Sequence, residues 1–134
     1  MSELQPFRMP VKWEDLPRFA VREHVSRAGF RGEDVLLVMN WLEPGMTIGM
    51  HKHPFEQIAV VLTGRMRWTV GEETFEVGAG EVLRVPPDVM HGGIPISDEV
   101  VMNLDIFCPI RKDYLEIVEH QAADFPAAGD RDAS

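Results

Sequence analysis

The sequence predicts an all-β fold, a sandwich or barrel built from short strands. Runs rich in Val, Ile, Leu, Phe and Trp recur between clusters of Gly and Pro. Turn residues bound these runs at close intervals, which is the pattern of antiparallel sandwiches and barrels. A helical spacing of apolar residues appears only near the C-terminus. The length of 134 residues is enough for one core but not for two.

The predicted strands follow one another along the chain as DVLLVMNWL, QIAVVL, RMRWTV, TFEV, EVLRV and EVVMNLDIF. RMRWTV and ETFEV flank Gly71 and Glu72, which predicts a hairpin. The glycines at 78 and 80 predict a second tight connection. Beyond the last strand, four residues have the spacing of one helical face and predict a short C-terminal helix: Tyr114, Ile117, Val118 and Gln121.

The chain divides into three predicted parts around one barrel. Residues 1–30 are expected to form an N-terminal arm and the first strand, and residues 31–110 the barrel. Residues 111–134 form a C-terminal segment, whose small and charged ending, PAAGDRDAS, is expected to fray.

Composition and charge argue against several classes of partner. The formal net charge of -9 at pH 7 repels phosphate backbones, so no nucleic-acid partner is expected. No apolar run has the length of a signal peptide or a membrane span, so no membrane partner is expected. The single cysteine, Cys108, is expected to be a small buried hydrophobe and suits a reducing compartment. These features predict a cytoplasmic protein.

The stretch GMTIGMHKHPFEQIAVVLTG, residues 45–64, carries candidate metal ligands. His51 and His53 are followed by Glu56 and Gln57. Side chains two apart on a strand share a face, so alternation places Gln57 with the histidines and Glu56 on the opposite face. Pro54 leaves the alternative open, because a bulge beside it would add one residue and turn Glu56 inward instead.

A third histidine lies downstream in GEVLRVPPDVMHGG. His91 follows a Pro-Pro-Asp turn, a stiff corner that could aim its ring across a barrel at the first cluster. Three imidazoles and an amide oxygen would form a neutral ligand set for a first-row divalent metal ion. The alternative is that His51 and His53 are surface residues of a loop and His91 is a turn residue.

Both stretches resemble the two motifs of the cupin superfamily. The first motif reads glycine, five residues, His-x-His, three or four residues, glutamate, six residues, glycine. The chain matches it at Gly45, His51, His53 and Gly64, and has Gln57 in place of the usual glutamate. The resemblance implies a double-stranded β-helix, or jelly-roll barrel, for nearly all of the chain. It also implies one metal ion held by His51, His53, Gln57 and His91.

The second motif is matched less completely. It reads glycine, five residues, proline, x, glycine, two residues, histidine, three residues, asparagine, and the chain fits it at Gly80, Pro86 and His91. Asp88 stands in place of the usual glycine and Pro95 in place of asparagine. Both departures fall at turn positions and leave the ligand histidine in place.

A narrower resemblance is to the single-domain cupins that include the pectin-degradation protein KdgF. The stretches VKWEDLP, HPFEQIAVVLTG, VPPDVMHGG and LDIFCPIRKDY carry it, and that group also has Gln at the ligand position. Its pattern of Asp, x, Phe and a later Arg falls on Asp105, Phe107 and Arg111. The resemblance implies catalysis by Asp105 and Arg111, substrate contacts from Phe107 and Arg111, and conversion of a 4,5-unsaturated uronate to its linear keto form.

Alternation in VVMNLDIFC places Asn103, Asp105 and Phe107 on one face of a strand, opposite an apolar face. A carboxylate there is costly unless it is paired, hydrated or used, which favours a pocket. The alternatives are a salt bridge between Asp105 and Arg111, or Arg111 as a surface cation. The apolar face needs cover, which predicts a homodimer with exchanged arms or edge strands.

These features predict a metal-dependent, isomerase- or lyase-like enzyme for a small anionic substrate that bears a carboxylate, with unsaturated uronates as the leading case. One divalent transition metal ion is expected, and the sequence does not distinguish nickel, zinc, iron, manganese, cobalt and copper. Gln57 removes one negative charge from the ligand set, which favours chemistry without redox steps. The alternatives are a cupin dioxygenase and a non-catalytic, metal-containing module that binds small molecules.

Overall fold

The computed structural model describes residues 9–125 and shows two antiparallel sheets that close into a jelly-roll barrel. The described strands are β1 (Phe19–Arg22), β2 (Val25–Arg31), β3 (Leu36–Leu42), β4 (Gln57–Thr63), β5 (Arg65–Val70), β6 (Glu73–Gly78), β7 (Val82–Val85), β8 (His91–Pro95) and β9 (Val101–Phe107). Six strands form one sheet in the order β1-β2-β3-β9-β4-β7, and three form the other in the order β6-β5-β8. The all-β prediction is confirmed.

Glycines mark the tight connections. The predicted hairpin joins β5 to β6, with Val70 opposite Glu73 and Gly71 at φ 62°. Gly64 alone separates β4 from β5, where the chain passes from one sheet to the other. Its φ is 75°, and an added Cβ would lie 2.7 Å from the Val101 side chain. Only glycine suits both the backbone conformation and the space at this position.

The N-terminal part contains two strands where the sequence predicts one. β1 and β2 form a hairpin, and His24 in its turn has a φ of 70°. The strand β2 ends at Arg31, one residue beyond the predicted boundary of the arm. Charged side chains interrupt the apolar runs in RFAVREHVSRAGFR, so the alternation that marks a strand is weak there.

The outer face of β3 and β9 is covered by the same chain. Leu16 and Trp13, from the N-terminal arm, pack in one cluster with Met39 and Trp41 of β3, and Met102 and Leu104 of β9 lie against that cluster. The cover that was expected from a second subunit is therefore supplied in part within the chain. Trp13 belongs to a short 3-10 helix, Trp13–Asp15.

The predicted short C-terminal helix is a 3-10 segment, Lys112–Gln121, with a non-helical residue at Val118. Ile117 and Val118 bury their side chains in a cluster with Leu36, Val38 and Phe107, and so close one end of the barrel. The Gln121 amide accepts a hydrogen bond from Arg31 N and donates one to Arg31 O, both at 2.8 Å. The pairing of β1 with β2 stops at Arg27 and does not reach Arg31. Gln121 therefore satisfies the backbone N–H and C=O of Arg31 in place of β1.

Three remaining expectations concern the chain ends and Cys108. Cys108 is exposed rather than buried, because β9 ends at Phe107 and the chain leaves the sheet there. The tail that was expected to fray, residues 126–134, lies outside the described residues. Within residues 9–125, no helix is both long enough and apolar enough to span a bilayer.

Gly29 on β2 provides a test of the contact between barrel and C-terminal segment. An added Cβ would lie 2.8 Å from Ile117 and 2.9 Å from Val118. Glycine to alanine in a strand normally stabilises by about 0.5–1 kcal/mol, but overpacking costs about 1–3 kcal/mol. We expect Gly29→Ala to lower the free energy of unfolding in chemical denaturation. Gly49→Ala is the control, because its Cβ meets only the flexible Arg22 side chain at 3.4 Å. Equal stability of the two variants would contradict the packing argument.

The homodimer stays a prediction, and the exposed edge strand β1 indicates where to test it. Phe19 and Val21 on β1 are exposed, and an unpaired apolar edge favours pairing with another chain. Light scattering at micromolar concentration should give twice the chain mass of 15.2 kDa. Val21→Lys should shift the protein to the monomer, whereas Val82→Lys on the opposite edge strand β7 should not. A wild-type monomer would rule the dimer out.

Candidate metal centre and substrate pocket

Backbone hydrogen bonds bring the two histidine-bearing segments together. His51 and His53 lie in the loop before β4, and His91 is the first residue of β8. His51 N donates to His91 O at 2.9 Å, and His91 N donates to His51 O at 2.8 Å. Asp88 N also donates to His53 O at 2.8 Å. As a result, ligand nitrogens of the three histidines all lie within 4.8 Å of one another.

The three rings are oriented by the same kind of hydrogen bond. Each Nδ1 lies 2.8–2.9 Å from a backbone carbonyl two residues away, those of Gly49, Phe55 and Val89. A carbonyl only accepts, so the proton is assigned to Nδ1 and the lone pair to Nε2. The Nε2 of His91 is buried without a hydrogen-bond partner. Metal-binding histidines characteristically make this second bond, so the cluster fits a metal ion on its own geometry.

The electrostatic surroundings keep two of the rings neutral. Burial lowers the pKa of His53 below its usual 6.5, and the charge of Arg111 lowers it further. Burial is also the main cause of the lowered pKa of His91. Neutral imidazole is the form that binds metals, so the rings are ready to bind an ion near neutral pH.

Gln57 points into the barrel beside the histidines. Its Oε1 lies 3.2 Å from His53 Nε2, and its Nε2 donates to Asp105 Oδ1 at 2.8 Å. The carboxylate of Asp105 accepts only, so this bond turns the amide oxygen of Gln57 toward the histidines. Gln57 Oε1 and His53 Nε2 are then both acceptors and repel each other at this distance. A cation bound by both atoms would stabilise the arrangement. Glu56 lies on the surface instead, paired with Arg84.

Asp105 lies on the inner face of β9 and is surrounded by amides. Its Oδ1 accepts hydrogen bonds from Gln57 and Asn103, both at 2.8 Å, and its Oδ2 accepts one from Asn40 at 2.9 Å. Burial raises the pKa of Asp105 to about 6, although the three amide hydrogen bonds oppose this rise. The salt bridge with Arg111 that the sequence left open is not formed.

Arg111 is buried at the end of the barrel, contrary to its reading as a surface cation. Its Nε and Nη2 donate to the two carboxylate oxygens of Asp113 at 3.1 and 2.6 Å. This contact lowers the pKa of Asp113. The guanidinium carbon lies 3.9 Å from the centre of the Tyr114 ring and 4.8 Å from that of Phe107. Phe107 is buried, and its ring centre is 5.9 Å from that of His53.

These groups share one cavity of about 170 Å³, lined by His51, Gln57, His91, Asp105, Phe107 and Arg111. The volume is below the ~300–1,000 Å³ of pockets for drug-sized ligands, so the cavity suits a small molecule. Sequence reasoning missed several of its other lining residues: Arg22, Arg27, Asn40, Trp68 and Tyr114. Arg22 and Arg27 lie in β1 and β2, where the sequence predicts only one strand, and no local motif marks any of the five.

Several buried polar atoms around the cavity lack a hydrogen-bond partner. Among the described residues, four buried side-chain atoms lack a hydrogen-bond partner: Arg27 Nε, Trp68 Nε1, His91 Nε2 and Asn103 Oδ1. All four residues line this one cavity. Buried polar groups are almost always paired, so a concentration of exceptions in one place points to a ligand-binding site.

The fold and the histidine cluster are those of a cupin, and the chain belongs to the cupin domain family, whose match covers residues 41–107. Among curated proteins, the chain is 29% identical over 110 residues to a Bacillus subtilis protein named H2HPP isomerase. That match covers 78% of this chain and 43% of the relative, so the chain spans less than half of the relative's length.

Solved structures show the same fold at low sequence identity. An RmlC-like cupin from Shewanella frigidimarina matches with a TM-score of 0.69 and 23% identity, over 78% of this chain and 93% of that one. The KdgF structure from a Halomonas species matches with a TM-score of 0.67 and 22% identity, over 75% of this chain and 92% of that one. The cupin resemblance of the sequence is thereby confirmed.

The metal centre can be tested by removing one ligand at a time. We expect His51→Ala and His91→Ala to abolish stoichiometric metal content in elemental analysis, because each removes one of three converging lone pairs. Glu56→Gln is the matched control and should keep the metal, since Glu56 lies outside the site. Loss of metal in Glu56→Gln with retention in His51→Ala would contradict this ligand set.

Proposed function

We propose that the chain is a metal-dependent cupin enzyme that isomerises a small, carboxylate-bearing substrate without redox chemistry. The leading case is the conversion of a 4,5-unsaturated uronate to its linear keto form. The observation that carries the proposal is the composition of one site: three imidazoles converge, and two of them line a cavity together with one carboxylate and three arginines. A metal centre, a proton carrier and an anion site are the three parts that such a reaction needs.

The proposed ligands are His51, His53 and His91 through Nε2, and Gln57 through Oε1. A divalent ion held there would act as a Lewis acid toward an oxygen of the substrate. All four ligands are neutral, so they leave the positive charge of the ion undiminished for an anionic substrate. The hydrogen bond from Gln57 to Asp105 supports this assignment, because it orients the amide oxygen.

Asp105 is the proposed proton carrier. Among the described residues that line the cavity, it is the only carboxylate. Ring opening takes a proton from the hemiacetal hydroxyl while the bond from C1 to the ring oxygen breaks, and ketonisation of the resulting enolate places a proton on C4, so a single group that first accepts and then donates a proton is sufficient. The amides of Gln57, Asn103 and Asn40 hold the carboxylate in one orientation during both transfers.

Phe107 and Arg111 are the proposed substrate contacts at the closed end of the cavity. Phe107 supplies an apolar wall beside His53. Arg111 supplies positive charge, and Asp113 occupies its Nε and Nη2, which leaves Nη1 for the substrate. The isomerase named among the relatives supports this class of reaction, although the two chains share only 29% identity over the matched part.

The substitution Asp105→Asn tests the role of the carboxylate. We expect turnover to fall by about a hundredfold or more, the usual contribution of a positioned general acid-base group. Metal and fold should remain, because an Asn oxygen can still accept from Gln57 and Asn103. Asn40 Nδ2 would lose Asp105 Oδ2 as an acceptor, but it keeps contacts to Val38 O and Asn103 O at 3.3 and 3.1 Å. Asp98→Asn, on the exposed loop before β9, is the control and should be fully active. Equal rates for the two variants would exclude Asp105 as the proton carrier.

The reaction is tested by incubating the metal-loaded protein with a lyase-generated unsaturated uronate, with and without oxygen. Loss of the substrate's ultraviolet absorbance, equally fast without oxygen, is the expected result, because ketonisation removes the conjugated double bond. Turnover that requires oxygen would assign the protein to the dioxygenases. Loss no faster than in buffer would contradict the uronate reaction.

A further inference from the structure

Three arginines line the cavity, and they differ in how their guanidinium groups are used. Arg22 is exposed and donates to Thr47 O at 3.3 Å. Arg111 is held by both carboxylate oxygens of Asp113. Arg27 has no carboxylate of the described chain within 4.0 Å, and its Nε is buried without a hydrogen-bond partner. Arg27 is therefore the arginine whose donors are left for a ligand.

The position of Arg27 directs it into the cavity rather than to the surface. On β2 it lies opposite Asn40 of β3, which lies opposite Asn103 of β9, so the three residues form one row across the inner face of the sheet. The guanidinium carbon of Arg27 is 4.4 Å from the centre of the Tyr114 ring. Arg111 contacts the same ring, so the two positive charges lie at the same end of the cavity.

Arg27 is half-buried, and its buried Nε lacks an acceptor. A buried donor without a hydrogen-bond partner costs free energy that a bound acceptor would recover. Asp105 is the only carboxylate among the described lining residues, and its two oxygens already accept three amide hydrogen bonds. An acceptor on a bound molecule would therefore satisfy Arg27 Nε where the chain itself does not.

We propose that Arg27 binds the carboxylate of the substrate and thereby selects acids over neutral sugars. This inference rests on the proposed function, which requires an anionic substrate. The planar guanidinium matches a carboxylate with two parallel hydrogen bonds. Arg111 cannot offer that geometry with Nε and Nη2, because Asp113 already occupies this edge. Arg111 adds positive charge at the same end of the cavity, and Arg27 makes the direct pair.

The experiment compares galacturonate with galactose, which carries a hydroxymethyl group in place of the carboxylate. Binding of each to the metal-loaded protein is measured by isothermal titration calorimetry. We expect wild type to prefer galacturonate, and Arg27→Gln to weaken galacturonate binding about ten- to a hundredfold with galactose binding unchanged. Arg27→Lys keeps the charge but loses the planar guanidinium, so its affinity for galacturonate should lie between those of wild type and Arg27→Gln. Arg67→Gln, on an exposed residue of β5, is the control and should match wild type.

Metal content and circular dichroism of each variant establish that the site and fold persist, and Arg27→Lys provides a milder change if Arg27→Gln does not fold. The proposal is overturned if wild type does not prefer galacturonate, if Arg27→Gln keeps the preference, or if binding of both sugars falls equally. Failure of the uronate absorbance assay alongside an Arg27-dependent preference for galacturonate would overturn the reaction and leave the anion site standing.

Discussion

The pair of backbone hydrogen bonds between His51 and His91 is the constraint on which the site depends. It ties the loop before β4 to the first residue of β8, and no ladder of either sheet joins β4 to β8. Each ring is then fixed by a carbonyl two residues away in its own segment. The direction of the three lone pairs therefore follows from the course of the backbone, which is rigid where strands and tight turns meet.

Gln57 and Asp105 are best understood as one unit. The amide donates to the carboxylate and turns its oxygen toward the histidines. A glutamate at position 57 would set two carboxylates side by side, and like charges in a buried place disfavour each other's ionised form. The departure of Gln57 from the usual cupin motif is thus compatible with an ionised Asp105 in the cavity, where a Glu would compete with it.

The cavity is rich in positive charge, although the molecule as a whole is negatively charged. The chain carries a formal net charge of -9, yet three arginines and one carboxylate line the cavity. Four buried polar atoms of its lining residues have no hydrogen-bond partner. Each unsatisfied buried group lowers the free energy of unfolding of the ligand-free protein. Such local violations of good packing are typical of binding sites, where the ligand restores the missing contacts.

The sequence by itself determined the features that depend on local periodicity. Alternation favoured Gln57 over Glu56 as the inward residue, and turn glycines such as Gly71 marked the hairpin, because pleating and turn geometry act over two to four residues. The cupin motifs joined His91 to the same ligand set and favoured the barrel over the sandwich. Tertiary structure alone decided which charges meet. The pairing of Arg111 with Asp113 instead of Asp105 depends on how the C-terminal segment packs on the barrel. The placement of Arg27 on the inner face of the sheet depends on the register of β2 against β3 and of β3 against β9. Desolvation arises only when distant strands enclose a cavity, so no local pattern in the sequence records it.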